Sequence, residues 1–214
     1  MIRKTLCIVI TVLIVPLAVS GPFGQQFSDK STVIGTPHDT DAGGNGCINC
    51  HVPHKLDPKG RTLLWNPGFT TLVFGTYDSG TMDSSTSEVG DATYSGLNPP
   101  TGAKSRTVLC LSCHDGTTTT ALIAAGTQWD IGSLTDSDGL RNDHPVNMAF
   151  DPVADTGLNP IATVTATNIR LFPEGADETV QCASCHDPHG AAPGTSFYLR
   201  ASNANSGLCV TCHK

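Results

Sequence analysis

Eight of the nine cysteines stand in four pairs of one form: Cys47-Ile-Asn-Cys50-His51, Cys110-Leu-Ser-Cys113-His114, Cys182-Ala-Ser-Cys185-His186 and Cys209-Val-Thr-Cys212-His213. Two residues between the cysteines put both sulfurs on one turn of chain, where each can add to one vinyl group of a haem. The histidine that follows then aims its imidazole at the iron from the same side. Cys47, Cys110, Cys182 and Cys209 would each form one thioether, and Cys50, Cys113, Cys185 and Cys212 the other. His51, His114, His186 and His213 would be the proximal ligands. Other readings explain less. Disulfides need no histidine after each pair, and a thioredoxin-like motif normally occurs once, beside a βαβ pattern that is missing here. Structural zinc would use the same thiolates and imidazoles. Four copies that consume every cysteine but Cys7 imply four covalently held haem c groups.

Four histidines remain, His38, His54, His144 and His189, one for each such iron. His54 and His189 stand three residues after His51 and His186. Residues three apart project to the same side of a helical turn, so the second imidazole cannot reach the far face of the same haem. Each is expected to cap a neighbouring haem. All four also adjoin a proline, whose fixed φ stiffens the backbone that carries them. The plainer reading makes some of them surface histidines. Met148 competes with His144 as a sixth ligand, although Met148-Ala149-Phe150 fits better as packing against a porphyrin face.

What must position these groups is a chain poor in ordinary core. It has 22 Gly and 14 Pro, and only 6% of it is aromatic. Ordering a backbone costs about 1–2 kcal/mol per residue, which so little apolar area cannot offset, so a cofactor must stand in for the core. The expected fold is a multihaem cytochrome c: haem-cored, mostly coil, with short helices at the CxxCH motifs and few short strands. An internal repeat organises it. CxxCHVPHK with Leu63-Leu64-Trp65 and LCLSCH matches CxxCHDPHG with Phe197-Tyr198-Leu199-Arg200 and LCVTCH. Residues 21–214 are therefore read as one tetrahaem domain of two double-CxxCH units, about 47–114 and 182–213. Within each unit His54 or His189 would most simply cap the second haem, at His114 or His213. An insertion near residues 66–106 reads as exposed loop. Thr117 to Thr120 is a short strand or a loop, and Val164 to Leu171 a short strand or a subunit contact. Asp136-Ser137-Asp138-Gly139 with Asp143 fits a solvated turn better than a calcium site.

Residues 1–20 fit a cleaved secretory signal peptide. Arg3 and Lys4 precede an apolar run that ends in Ala18-Val19-Ser20. A retained anchor is the alternative, but the run is short of the roughly 20 residues a span needs and Pro16 interrupts it. Cys7 would leave with the signal. The formal net charge is −7, and loss of Arg3 and Lys4 makes it two units more negative. Such a chain does not track a phosphate backbone, so nucleic acid is disfavoured.

In order along the chain, Pro37-His38-Asp39, Cys47 to His54, Leu109 to Gly116, His144-Pro145-Val146, Val180 to Gly190 and Leu208 to His213 resemble the outer-surface tetrahaem cytochromes of metal-reducing bacteria, the OmcE-type filament formers. That resemblance implies a homopolymer stacked head to tail, carrying electrons along one haem chain to extracellular acceptors. It implies too that a histidine near the N-terminus, here His38, ligates a haem of the adjacent subunit. The expected assignment gives His38 to the Cys182–His186 haem of that subunit and His144 to the Cys47–His51 haem. Two histidines per iron leave no open position, so the expected role is electron transfer rather than enzymatic turnover, with redox proteins or external acceptors as partners. The expected location is extracellular or at the cell surface. A soluble periplasmic tetrahaem shuttle is the main alternative, and a multihaem reductase with one open iron a weaker one.

Overall fold

The structure is a computed structural model, and it describes residues 33, 36, 38–39, 46–52, 65–67, 74, 77, 79–83, 106–115, 140–174, 176–190 and 198–214. Residues 1–20, His54, Thr117 to Thr120 and Asp136 to Gly139 lie outside the described residues, as does most of the insertion.

All four CxxCH motifs form helical turns: α1 (Cys47–Cys50), α2 (Arg106–His114), α4 (Cys182–Cys185) and α5 (Gly207–Cys212). Only α2 is long enough to bury a face of its own, with Thr107, Val108 and Leu111 at helical spacing under cover. The others are one or two turns, too short to persist unless something else holds them. Among the described residues one α-helix lies outside the motifs, α3 (Ile161–Thr165). It takes in the start of the Val164 to Leu171 stretch, so that stretch is not a strand: Val164 is fully buried within α3.

A small antiparallel sheet, β1 (Met148–Ala149), β2 (Phe172–Glu174) and β3 (Asp177–Val180), has the order β1-β3-β2. Phe172 pairs with Thr179 and Met148 with Val180. Pro173 is tolerated because β2 is an edge strand, where no outward N–H is needed. β3 runs directly through Gln181 into α4, so the sheet sets where the third motif begins.

The protein has more apolar core of its own than its composition suggests. Phe74, Val108, Leu111 and Leu140 form one cluster, with Val146 packed against it. Phe150, Leu158, Val164, Ile169 and Val180 form a second, touched by Met148, Leu171, Leu208 and Cys212. Met148 and Phe150, expected against a porphyrin, pack here against protein. Between α2 and α4 lies a buried polar knot. Gln181 Oε1 accepts from Thr107 Oγ1 at 2.6 Å and from Thr107 N at 3.3 Å, while its Nε2 donates to Asn147 Oδ1 and Thr179 Oγ1. Ser184 Oγ accepts from the Gln181 amide. This knot ties β1, β3, α2 and α4 at one point.

One local device recurs at three motifs and explains how such short helices survive. After α1 the chain returns at Trp65, which bridges His51. Asn66 N then donates to Cys50 O at 2.9 Å, and its side chain to Ile48 O at 2.8 Å. After α4, Leu199 bridges His186, Arg200 N donates to Cys185 O at 2.8 Å, and Arg200 Nε to Ala183 O at 2.8 Å. At α5, Leu158 bridges His213, Asn159 N donates to Cys212 O at 2.7 Å, and Asn159 Nδ2 to Val210 O at 3.1 Å. Each clamp satisfies carbonyls that a helix end leaves without partners. Asn159 also reaches the carbonyls of Thr211 and His213. Asn159→Ala should therefore lower stability by about 1 kcal/mol, and Asn66→Ala by less because its side-chain bond to Ile48 O is exposed. Calorimetric unfolding of the two variants checks that order.

Candidate functional site

The four motifs lie side by side in chain order. Trp65, paired with His51 of the first motif, donates its Nε1 hydrogen to Ser112 Oγ of the second at 3.2 Å. The second meets the third where Cys182 N donates to Thr107 Oγ1 and where the Cys110 and Cys182 sulfurs hydrogen-bond. That contact lowers the Cys182 thiol and raises Cys110 well above its ordinary value. Burial, then the neighbouring Cys212, pushes Cys185 up to about 11, which sets the third motif beside the fourth. Burial also raises Cys50, Cys113 and Cys212, with Cys50 adding to the effect on Cys113. Cys47 and Cys209 are exposed. No disulfide joins any of the eight described cysteines, and among the described residues no group of three or more His, Cys, Asp or Glu could hold a metal ion by itself.

Among the described residues six histidines lie two by two, and each pair combines one motif histidine with one spare. His51 faces His189 with ring centroids 6.2 Å apart and planes 7° from parallel. His114 faces His38 at 6.2 Å, the planes crossed at 88°. His213 faces His144 at 6.4 Å and 67°. A metal–imidazole bond is about 2 Å long. Two such bonds and two ring radii add to roughly 6 Å, so each gap has the size of an iron held between two imidazoles.

The ring nitrogens support this fit. His144 Nδ1 is engaged by the Pro145 carbonyl at 2.9 Å, and His189 Nδ1 by Asp187 Oδ1 at 3.1 Å. In each ring Nδ1 is held by a partner, which is how protein ligands usually orient an imidazole. His38 Nδ1 is buried with no hydrogen-bond partner. Burial, then the nearby His114 and His189, holds His38 below the usual histidine value despite the opposing Pro188 carbonyl, which favours the neutral ring. Neutral imidazole is the form that binds iron. Tyr198 packs against His38 with centroids 4.5 Å apart and planes tilted by 48°, from a left-handed backbone at φ 56°. The Asp187 amide, donating to Tyr198 O at 2.8 Å, helps hold that conformation.

Residues 175–214 match the family described as the doubled CXXCH motif. The match covers the third and fourth motifs and indicates a multihaem c-type cytochrome, with covalently bound haem c and an electron-transfer role. Comparison with curated proteins and with solved structures gives no match.

The pairing differs from the one expected within each repeat. His189 meets His51 of the other unit instead of His213, and His144 meets His213 instead of His51. His38 lies against His114 of its own chain. Distance along the chain does not say which motif a turn faces once connections exceed a few residues. His186 bridges Leu199, and His54 lies outside the described residues. The sequence reading also passed over Asn66, Asn159, Gln181 and Asp187, and used Arg200 only to align the repeats. A signal for the clamps was there: Trp65-Asn66, Leu158-Asn159 and Leu199-Arg200 each set a large apolar residue before a long or amide side chain.

Proposed function

We propose that this protein transfers electrons through four bis-histidine haem c groups. Bound haem c supplies one-electron exchange between ferric and ferrous iron, without bond breaking. The chain's part is to hold and space the sites. Cys47 and Cys50 with His51, Cys110 and Cys113 with His114, Cys182 and Cys185 with His186, and Cys209 and Cys212 with His213 carry one group each. His189, His38 and His144 cap the first, second and fourth. By elimination His54 caps the third, so the two units exchange the histidine that follows their first motif.

The observation that carries the proposal is the set of three imidazole pairs at 6.2–6.4 Å, each with one motif member and one spare. An iron closed on both sides changes charge with little rearrangement and offers a substrate no position, which favours electron transfer over turnover. Motifs touching in chain order favour hopping along the array. Purified holoprotein should carry four haems by pyridine haemochrome and intact mass. Its ferrous spectrum should be low-spin and unmoved by carbon monoxide. Fewer haems, or a carbon monoxide response, would break the scheme.

We further propose export and assembly into an extracellular filament, a reading supported by the resemblance to OmcE-type cytochromes and by the acidic, loop-rich sequence. His38 is then the subunit link: the segment bearing it, exchanged between identical copies, would make in the next subunit the contact with His114 that it makes in a single chain. His38→Ala should shorten or abolish filaments while all four haems remain, as seen by negative-stain imaging of material sheared from cells. Filaments of normal length would remove His38 as the link, whereas wild-type material without filaments would favour a soluble periplasmic shuttle.

A further inference from the structure

The two units share the clamp but not what stands beside their extra histidines. In the second unit His189 Nδ1 and the His189 amide both meet Asp187 Oδ1 at 3.1 Å. Asp187 is only 7% exposed, and its Oδ2 is held by Arg200 at 2.9 Å. In the first unit the positions equivalent to Asp187 and Arg200 are Val52 and Asn66. A valine side chain accepts no hydrogen bond, and Asn66 is spent on the Ile48 carbonyl. His144, the third capping histidine whose partner is described, has only a neutral carbonyl at Nδ1. One capping imidazole therefore leans on a buried carboxylate, and the repeat has a valine at the equivalent position of its other unit.

We infer that Asp187 is a positioning residue that lowers the potential of the haem held by Cys47, Cys50 and His51, setting it apart from its counterpart in the second unit. The inference rests on the bis-histidine reading above. A carboxylate at Nδ1 draws the imidazole proton toward itself and makes Nε2 a stronger donor. A stronger donor favours ferric over ferrous iron, and the potential falls. Arg200 moderates this, because its guanidinium competes for the same carboxylate charge. The duplicated chain thus splits two otherwise equivalent sites and gives the electron path a direction.

Among the described pairs, the ligand planes single out that site. Near-parallel imidazoles, as at His51 and His189, leave the two iron d orbitals that mix with them unequal and give a rhombic ferric resonance. Crossed planes, as at His38 and His114, give a strongly anisotropic one. The experiment is a redox titration of intact holoprotein at neutral pH, followed by electron paramagnetic resonance. Asp187→Asn should raise the midpoint of the rhombic signal by about 59 mV, a tenfold change in the ferrous-to-ferric ratio, and leave the anisotropic signal where it was. Arg200→Gln should move the rhombic midpoint the other way, and Val52→Asp should lower the midpoint of a different haem. An unchanged rhombic midpoint in Asp187→Asn, or an equal shift of every haem, overturns the inference. If Asp187→Asn does not fold, the Arg200→Gln and Val52→Asp shifts decide alone. Wild-type protein without four low-spin haems would instead bring down the bis-histidine reading on which this one stands.

Discussion

His189→Ala should open one iron of four while leaving all four haems attached. The ring that His189 faces is His51, so the site exposed is the first motif's, and ferrous protein should bind about one carbon monoxide per chain. The same substitution severs a link between the two units, since His189 belongs to one and His51 to the other. With the metal bridge gone, the thermal transition should fall and broaden. A second substitution separates the pairings. In a Cys47→Ser/Cys50→Ser background the first motif holds no haem, and adding His189→Ala should create no carbon monoxide site. If His189 instead capped the fourth haem, as the simple repeat suggests, that combination would bind carbon monoxide as well as the single variant does. Titration of the ferrous protein with carbon monoxide measures both.

The largest effect on stability is expected away from the histidines, at Gln181. It is 1% exposed, and its amide serves Thr107, Asn147 and Thr179 together. Truncation to alanine would strand several buried polar groups at once, each costing about 1–3 kcal/mol when left unmade. Asn147 would also lose a bond that helps hold it at φ 56°. Gln181→Ala should lower unfolding free energy by roughly 3 kcal/mol in total, because partial relaxation keeps the losses from adding fully. Gln181→Glu keeps the shape but offers acceptors where Asn147 Oδ1 requires a donor, so it should be at least as damaging. Denaturant unfolding followed in the Soret band would register both. It would also show whether the second and third motifs come apart first, since α2 and α4 meet through this knot.

The conservative features of the molecule were open to reading from the sequence. Four CxxCH quartets specify thioether chemistry and a proximal histidine through covalent reach alone, because two sulfurs and one imidazole within five residues need no help from distant parts of the chain. The same local logic expects short helices at the four motifs, which the structure has at Cys47–Cys50, Arg106–His114, Cys182–Cys185 and Gly207–Cys212, and it singles out His38, His54, His144 and His189 as the imidazoles left over. The clamps at Asn66 and Arg200 make equivalent bonds at the two motifs that the repeat aligns.

What the sequence could not decide was partnership. A histidine three residues past a motif is barred from its own haem by geometry, but nothing local says which of the other motifs it meets. Tertiary packing made that choice by laying α2 against α4 through Thr107 and Gln181 and by bringing His189 across to His51. The charge beside each capping imidazole was hidden for the same reason. Asp187 reads as one more residue of a turn until the fold brings Arg200 to its far oxygen. Covalent attachment depends on neighbours in sequence; ligand pairing and ligand basicity depend on neighbours in space.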